Sequence, residues 1–448
     1  STHRGVRGLQ LRLGDRVIRF APSDMVTRNQ SFERALSEAA KQLGVDGTTL
    51  VEGAELATFE AYQVLVPLDT EQPAVQLFRG NRLVAQEEID AEMVEEIGQG
   101  MQRWMRANLH ADGRMTYLYY PASGRESDNN NMIRQWMASL CLVRMAVAAD
   151  NRQLLAQATR NIRYNLRHFY RQEGDLGLIE YKGRVKLGAV ALAALTMLEH
   201  PDGEQFAQER DALVATTDHL WQEDGSFRLF YPGGREPIDS NLHNFYPGET
   251  LLLWASLLAG ASDPERLERF EGSVDYYRSW HLVHRKPSFV PWHTQAYYLL
   301  WRQNRSDALR DWIFAMNDWL LQMQDHSRMA YDDTVGRFYD PRPGREHFGP
   351  PHASSTGVFL EGLVDAHRLA IAEGDAVRAE RYRTAILRGL RSVRQLQFRG
   401  WQDSWFVRDP ERVTGGIRTT VYNNVIRVDN VQHNLMALLK LAPTDIWP

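Results

Sequence analysis

The sequence predicts a mainly helical fold: an (α/α)6 toroid with β-hairpins at one end, preceded by a small α/β domain. Three observations predict it. From about residue 88, amphipathic helical segments alternate six times with segments that are apolar nearly all round. A Gly-Arg-Glu signature recurs in the links, with Arg125, Arg235 and Arg345 each 110 residues from the next. The first 87 residues instead show the period-two alternation of strands.

In chain order, GLQLRLGDRVIRF reads as one or two strands, 32–44 (FERALSEAAKQLG) as a helix, and TFEAYQVLVPL and AVQLFRG as further strands. This unit, residues 1–87, has too few elements for a large core. The amphipathic helices are expected at 88–109, 151–171, 203–222, 263–284, 305–324 and 375–398. The apolar ones are expected at 131–148, 186–199, 247–260, 291–302, 354–371 and 429–441. A helix apolar on all sides must be buried on all sides, so the second set forms an inner ring and the first an outer ring, over residues 88–448. Aromatic runs after Asp112-Gly113, Asp224-Gly225 and Gly336 read as hairpins feeding inner helices. Three equivalent Gly-Arg-Glu corners most simply brace those hairpins, since a binding site is usually asymmetric.

Composition bounds the function. A net charge of −5 over 448 residues argues against a nucleic-acid binder driven by overall charge. The single Cys141 excludes an intramolecular disulfide and a cysteine-based zinc cage, and is compatible with cytoplasm and periplasm alike. No run of 18 apolar residues marks a transmembrane helix, and the first residues are not a signal peptide, which leaves export open. Of 52 basic residues only five are lysines, Lys41, Lys182, Lys186, Lys286 and Lys440. Gene base composition explains most of that bias. The remaining guanidinium groups suit carboxylate and phosphate partners.

Gly5-Val-Arg-Gly8-Leu-Gln-Leu-Arg-Leu-Gly14, Pro22, and Phe32 to Gly44 resemble the later half of an AMMECR1-type domain over some 60 residues. That resemblance implies no defined chemistry, and a protein partner for this unit is the expectation it leaves. The six-fold helix alternation, over 88–448, resembles that of the six-hairpin carbohydrate-active enzymes. The resemblance implies a glycan substrate and, first, a glycoside hydrolase with a carboxylate acid/base pair; the alternative is a uronate lyase or glucuronyl C5-epimerase. Toroids that use zinc with a Cys ligand, and terpene cyclases with DxDD, do not fit this sequence. His281 and His284 lie three apart without an HExxH motif, so no metal and no cofactor are expected.

If the inner helices run parallel, their N-termini gather at one end, where backbone N–H groups favour anions. Site residues are therefore sought at the head of each inner helix. Hydrolysis needs two carboxyls. Glu249 is the expected acid, one turn inside its helix, with Asp239 and Asp429 as partners. The competing structural role for Glu249 is a buried ion pair with Arg134 or Arg427. Elimination or epimerisation at C5 of a uronate needs a base and groups that neutralise the sugar carboxylate. Tyr246, Tyr422 and His433 are the candidate bases. Asn130, Arg134 and Arg427 would hold the carboxylate, and Lys186 suits either task. Asn241, Asn244, Trp292, His293, His352 and Gln432 complete the expected sugar contacts, and Glu361 is a further polar residue of the fifth inner helix. The segment 422–435 is similar in style to the closing helix of glucuronyl C5-epimerases. The expected ligand is an acidic polysaccharide or oligosaccharide. A non-catalytic glycan-binding or scaffold role stands as the alternative, separable by whether ionisable groups converge in one deep cleft.

Overall fold

The computed structural model describes residues 4–68, 71–233, 241–324, 331–339, 353–441 and 446. The chain begins with strands β1 (Arg7–Leu13) and β2 (Arg16–Phe20), helices α1 (Pro22–Thr27), α2 (Phe32–Leu43) and α3 (Gly47–Gly53), and strand β3 (Glu55–Glu60). The three strands form an antiparallel sheet of order β2-β1-β3. Strands β4 (Gln63–Leu65) and β5 (Val75–Leu77) form a separate pair. In α2, Ala35, Ala39 and Leu43 recur every four residues on one face, and they meet Leu9, Leu11 and Phe20 in a small apolar cluster. The two short helices α1 and α3 go beyond the sequence expectation.

The remainder builds the double ring. The outer helices are α4 (Ala91–Ala107), α6 (Arg152–Phe169), α8 (Ala207–Leu220), α10 (Pro264–Val283), α12 (Asp307–Leu320) and α14 (Ala376–Leu396). The inner helices are α5 (Met132–Ala148), α7 (Leu187–Glu199), α9 (Tyr246–Gly260), α11 (Val290–Asn304), α13 (Ala353–Ala372) and, after the short α15 (Trp401–Ser404), α16 (Val428–Lys440). Each inner helix packs on the next, and α16 returns to pack on α5, so the ring closes. Every outer helix packs on the inner helix that precedes it in the chain, with α4 on α16, and α12 packs on α13 as well. All twelve coincide with the expected segments to within a few residues.

The two sets differ at their starts. Five outer helices are capped by an Asp, Asn or Ser side chain, as Asp90 caps α4 and Ser306 caps α12. Four inner helices, α7, α9, α11 and α16, have no side-chain cap. Backbone carbonyls serve their starts instead: the Leu187 N–H of α7 donates to the Leu229 carbonyl at 3.0 Å and the Val428 N–H of α16 to the Tyr117 carbonyl at 2.9 Å, while α9 and α11 are led in by turns in which Phe245 N–H donates to the Leu242 carbonyl and Phe289 N–H to the Lys286 carbonyl.

The links carry β6 (Leu118–Tyr120), β7 (Arg125–Glu126), β8 (Tyr170–Glu173), β9 (Leu176–Tyr181), β10 (Arg184–Lys186), β11 (Phe230–Tyr231), β12 (Arg418–Thr420) and β13 (Asn423–Arg427). They form two four-stranded sheets, ordered β11-β10-β9-β8 and β12-β13-β6-β7. The second sheet joins the last link to the first. The repeat also has a backbone basis. Gly113, Gly225, Gly336 and Gly415 all have φ between 83° and 97°. A Cβ there would lie within 2.5 Å of a carbonyl of an outer helix, so only glycine fits. The bracing of the first corner differs in partner from the expected Arg–Glu pair. Glu126 receives Arg114 at 2.8 Å and Arg412 at 2.6 Å, while Arg125 is exposed. The corners at Arg235 and Arg345 lie outside the described residues.

Candidate active site

A cavity of about 640 Å³ opens at the ring end where the inner helices begin. Its wall takes first-turn residues from all six inner helices or the residues just before them, including Arg134, Lys186, Glu249, Trp292, Ser354 and Asp429. The N-termini therefore converge, as the parallel inner ring requires. Their helix dipoles, together with Lys186 and Lys286, favour anions at this end.

Glu249 is a deeply buried acid of this wall. It is 2% exposed and its Oε2 has no hydrogen-bond partner. Burial pushes its carboxyl up to about 8, and the charge of Lys186 offsets only part of this. It makes no ion pair with Arg134 or Arg427. Those arginines bind Asp429 instead: Arg427 through Nε at 2.5 Å and a second nitrogen at 2.6 Å, Arg134 through Nε at 2.7 Å. Arg134 also donates to the Tyr117 hydroxyl at 2.7 Å, and Arg427 to Ser354 at 3.3 Å. Both Asp429 oxygens are thus engaged.

Gly188 makes room for Glu249. A Cβ at this position would lie 1.8 Å from Glu249 Oε2 and 2.9 Å from the Tyr246 ring. Gly188→Ala is therefore expected to displace the carboxyl, lower stability by about 1–3 kcal/mol and cut any catalytic turnover at least about tenfold. Thermal unfolding and turnover, read side by side, check this. A fully stable and active G188A protein would mean that the carboxyl does not rest on Gly188.

Opposite Glu249 in the ring, His433 on α16 places Nδ1 2.7 Å from Oε1 of Glu361 on α13. Glu361 is fully buried, and its Oε2 has no partner. With Nδ1 taken, Nε2 is the nitrogen His433 has for the cavity. The Trp292 ring stands edge-on to His433 at 6.0 Å. Lys186 is lowered by burial and by the like charges of Arg134 and Arg184, with Glu249 opposing.

Nine of the expected residues line this cavity: Glu249, Asp429, Tyr246, His433, Arg134, Lys186, Asn241, Trp292 and Arg427. Others do not. Asn130 lines an adjoining cavity and accepts from Gln135 at 2.9 Å. Asn244 is buried and donates to the Asn241 carbonyl at 3.0 Å, closing a turn. His293 is fully buried, bonds the Phe289 carbonyl at 2.9 Å and stacks on the Phe289 ring at 3.5 Å. Gln432 is fully buried with both amide atoms unpaired. Tyr422 lies on the turn between β12 and β13. Asp239 and His352 lie outside the described residues. Sequence reasoning missed Lys286, Ser288 and Tyr339, which also line the cavity. Only Lys286 carried a signal, as one of five lysines at the head of an inner helix.

Among solved structures, a family 76 glycoside hydrolase from a bovine Bacteroides thetaiotaomicron strain superposes with TM-score 0.54 at 12% identity, over 98% of this chain and 93% of that one. The fold is the (α/α)6 toroid. The unsaturated glucuronyl hydrolase of Streptococcus agalactiae shares it, with TM-score 0.53 and 13% identity over 80% of this chain and 92% of that one. So does a sugar epimerase from a ruminal bacterium, with TM-score 0.55 and 10% identity over 78% and 98%. No family model and no curated protein matches the sequence. Among the described residues, no three His, Cys, Asp or Glu side chains gather as a metal site, and no helix is long and apolar enough to cross a membrane.

Proposed function

We propose that this protein is a glycan-processing enzyme that binds an acidic sugar in the inner-ring cavity and moves a proton at carbon, as a C5-epimerase or uronate lyase does. The observation that carries this reading is the pairing of functions in one cavity. His433 has a buried carboxylate behind its ring, Glu249 is a carboxylic acid near neutral pH, and the second cavity carboxyl, Asp429, is occupied by two arginines. A base at His433 Nε2 would take the proton next to the sugar carboxylate, and Glu361 would stabilise the imidazolium that results. Lys186 and Lys286, aided by the converging helix dipoles, would hold the sugar carboxylate and the charge that develops on it. Glu249 would supply a proton. A ring-lined cavity with converging ionisable groups also favours an enzyme over a passive glycan-binding module. The occurrence of a sugar epimerase and a glucuronyl hydrolase on the same fold is consistent with this chemistry.

Hydrolysis is the second reading, favoured by one observation: the raised Glu249 is what a glycosidase acid requires. Its base would be Asp429 released from its arginines, or Asp239. The two readings separate in D2O with a panel of uronate-containing oligosaccharides. Deuterium incorporated at C5, or an unsaturated uronate, is the expected result, and His433→Asn should reduce it at least about 100-fold. New reducing ends alone would replace the proton-transfer reading with hydrolysis. We also propose that residues 1–87 form an accessory unit beside the ring.

A further inference from the structure

A second cavity of about 430 Å³ adjoins the first and shares Asn131 and Lys186 with it. Its far wall is the hairpin of β9 and β10. Lys182 and Gly183 form the two-residue turn, with φ of 53° and 70°, the left-handed pair that such a tight turn needs. The hairpin is anchored on both sides, because β9 pairs with β8 and β10 with β11, and β10 runs directly into α7. Lys182 and Arg184 are therefore held at a fixed rim rather than on a wandering loop.

The chemistry of this cavity is one-sided. Lys182, Arg184 and Lys186 line it, with Tyr181, Ile179, Met132 and no carboxyl among the described lining residues. None of the three cations makes a salt bridge among the described residues. The Lys182 ammonium rests 5.3 Å from the Tyr181 ring centre instead. Lys182 and Arg184 are exposed and Lys186 is half-buried, so water screens their mutual repulsion while the rim keeps a positive potential that attracts an anion. The lysines sharpen the point. Of the five in the chain, Lys286 lines the first cavity, Lys182 the second and Lys186 both.

We propose that the second cavity is a subsite for the neighbouring anionic residue of a glycan chain, so that the ligand is an acidic oligosaccharide or polysaccharide rather than a single sugar. This rests on the reading of the first cavity as an acidic-sugar site. Tyr181 and the apolar floor would take the face of the second sugar ring, and Lys182, Arg184 and Lys186 its carboxylate.

The test is a binding series by calorimetry in the Glu249→Gln background, so that the ligands persist. The probes are glucuronic acid and its di-, tri- and tetrasaccharides, with manno-oligosaccharides of the same lengths as neutral controls. Affinity is expected to rise about tenfold or more between the mono- and the tetrasaccharide of glucuronate, and to do so less at high salt. A K182N/R184S protein should lose that gain with length. Asn suits the left-handed turn position, so the hairpin is retained, and an unchanged thermal midpoint confirms it. Three results would overturn the subsite: no gain with length, a gain that survives the double substitution, or an equal gain with neutral manno-oligosaccharides. If glucuronic acid binds but length adds nothing, only the subsite falls. If no glucuronate ligand binds at any length, the acidic-sugar reading of the first cavity falls with it.

Discussion

Glu249→Gln is expected to yield a protein that is inactive yet more stable than the parent at alkaline pH. The folded carboxyl titrates at about 8 against a reference of 4.5, because burial penalises its charge and Lys186 offsets only part of that. Between those values the native state keeps a proton that the unfolded chain releases. The favourable contribution is therefore complete below about pH 4.5 and is lost as pH rises through 8. Glutamine has the same shape and no charge to desolvate. Its amide finds no obvious acceptor where Oε2 lies unpartnered, which costs part of the gain. The net effect should be about 1–3 kcal/mol of added stability at pH 8 and close to none at pH 5. Turnover should fall at least about 100-fold, as for a lost general acid. The parent's rate should fall off above about pH 8 as the acid ionises. Denaturant unfolding at the two pH values and a pH–rate profile check all of this. A variant that is less stable at pH 8, or a parent rate without an alkaline fall, would contradict a neutral acid at this position.

How much of this was legible in the sequence depends on which physical scale wrote it. The ring was legible because an inner helix must be apolar on every side. In α7, every residue from Leu187 to Met197 is buried. No amphipathic surface helix gives that pattern, and six copies leave few ways to close. The cavity was legible to the level of a helix turn. Within that turn, the sequence could not tell which face points inward. His433 lines the cavity and Gln432 does not, and Trp292 does and His293 does not. One residue is a rotation of about 100°, and on a helix with no polar face the direction of the ring centre leaves no mark. Pairings across the ring were invisible for a different reason. Arg134 and Arg427 read as holders of a sugar carboxylate, yet both find Asp429 within 2.7 Å. Glu361 and His433 are 72 residues apart, and only the packing of α13 on α16 brings them together.

Acidification is expected to unfold this protein through two histidines outside the cavity. His281 near the end of α10 and His293 in the first turn of α11 are both fully buried. Burial holds each well below the usual 6.5, at about 3. Arg285 adds repulsion at His281, and His281 at His293, where the hydrogen bond to the Phe289 carbonyl partly opposes the shift. Phe289 separates them as an aromatic spacer, stacked on His293 at 3.5 Å and on His281 at 4.2 Å. Neither nitrogen of His281 has a partner, and Nε2 of His293 has none, so a proton arriving at either ring would find no acceptor. The sign follows from depressed folded values. Stability is complete above about pH 6.5, where both states are neutral, and is lost as pH falls from there toward 3, because the unfolded chain binds protons that the native core refuses. Each histidine contributes a slope that approaches about 1.4 kcal/mol per pH unit below pH 6.5, so the pair should remove about 4 kcal/mol between pH 7.5 and 5. That is a large share of a typical 5–15 kcal/mol total. His281→Phe, which keeps a flat ring between Phe289 and the edges of Trp312 and Trp319, should remove about half of that slope without lowering stability at pH 7.5. The measurement is the denaturant midpoint of both proteins from pH 7.5 to 5. Parallel pH curves for the two would show that His281 takes up its proton in the folded state as readily as in the unfolded one, and would move the acid sensitivity elsewhere.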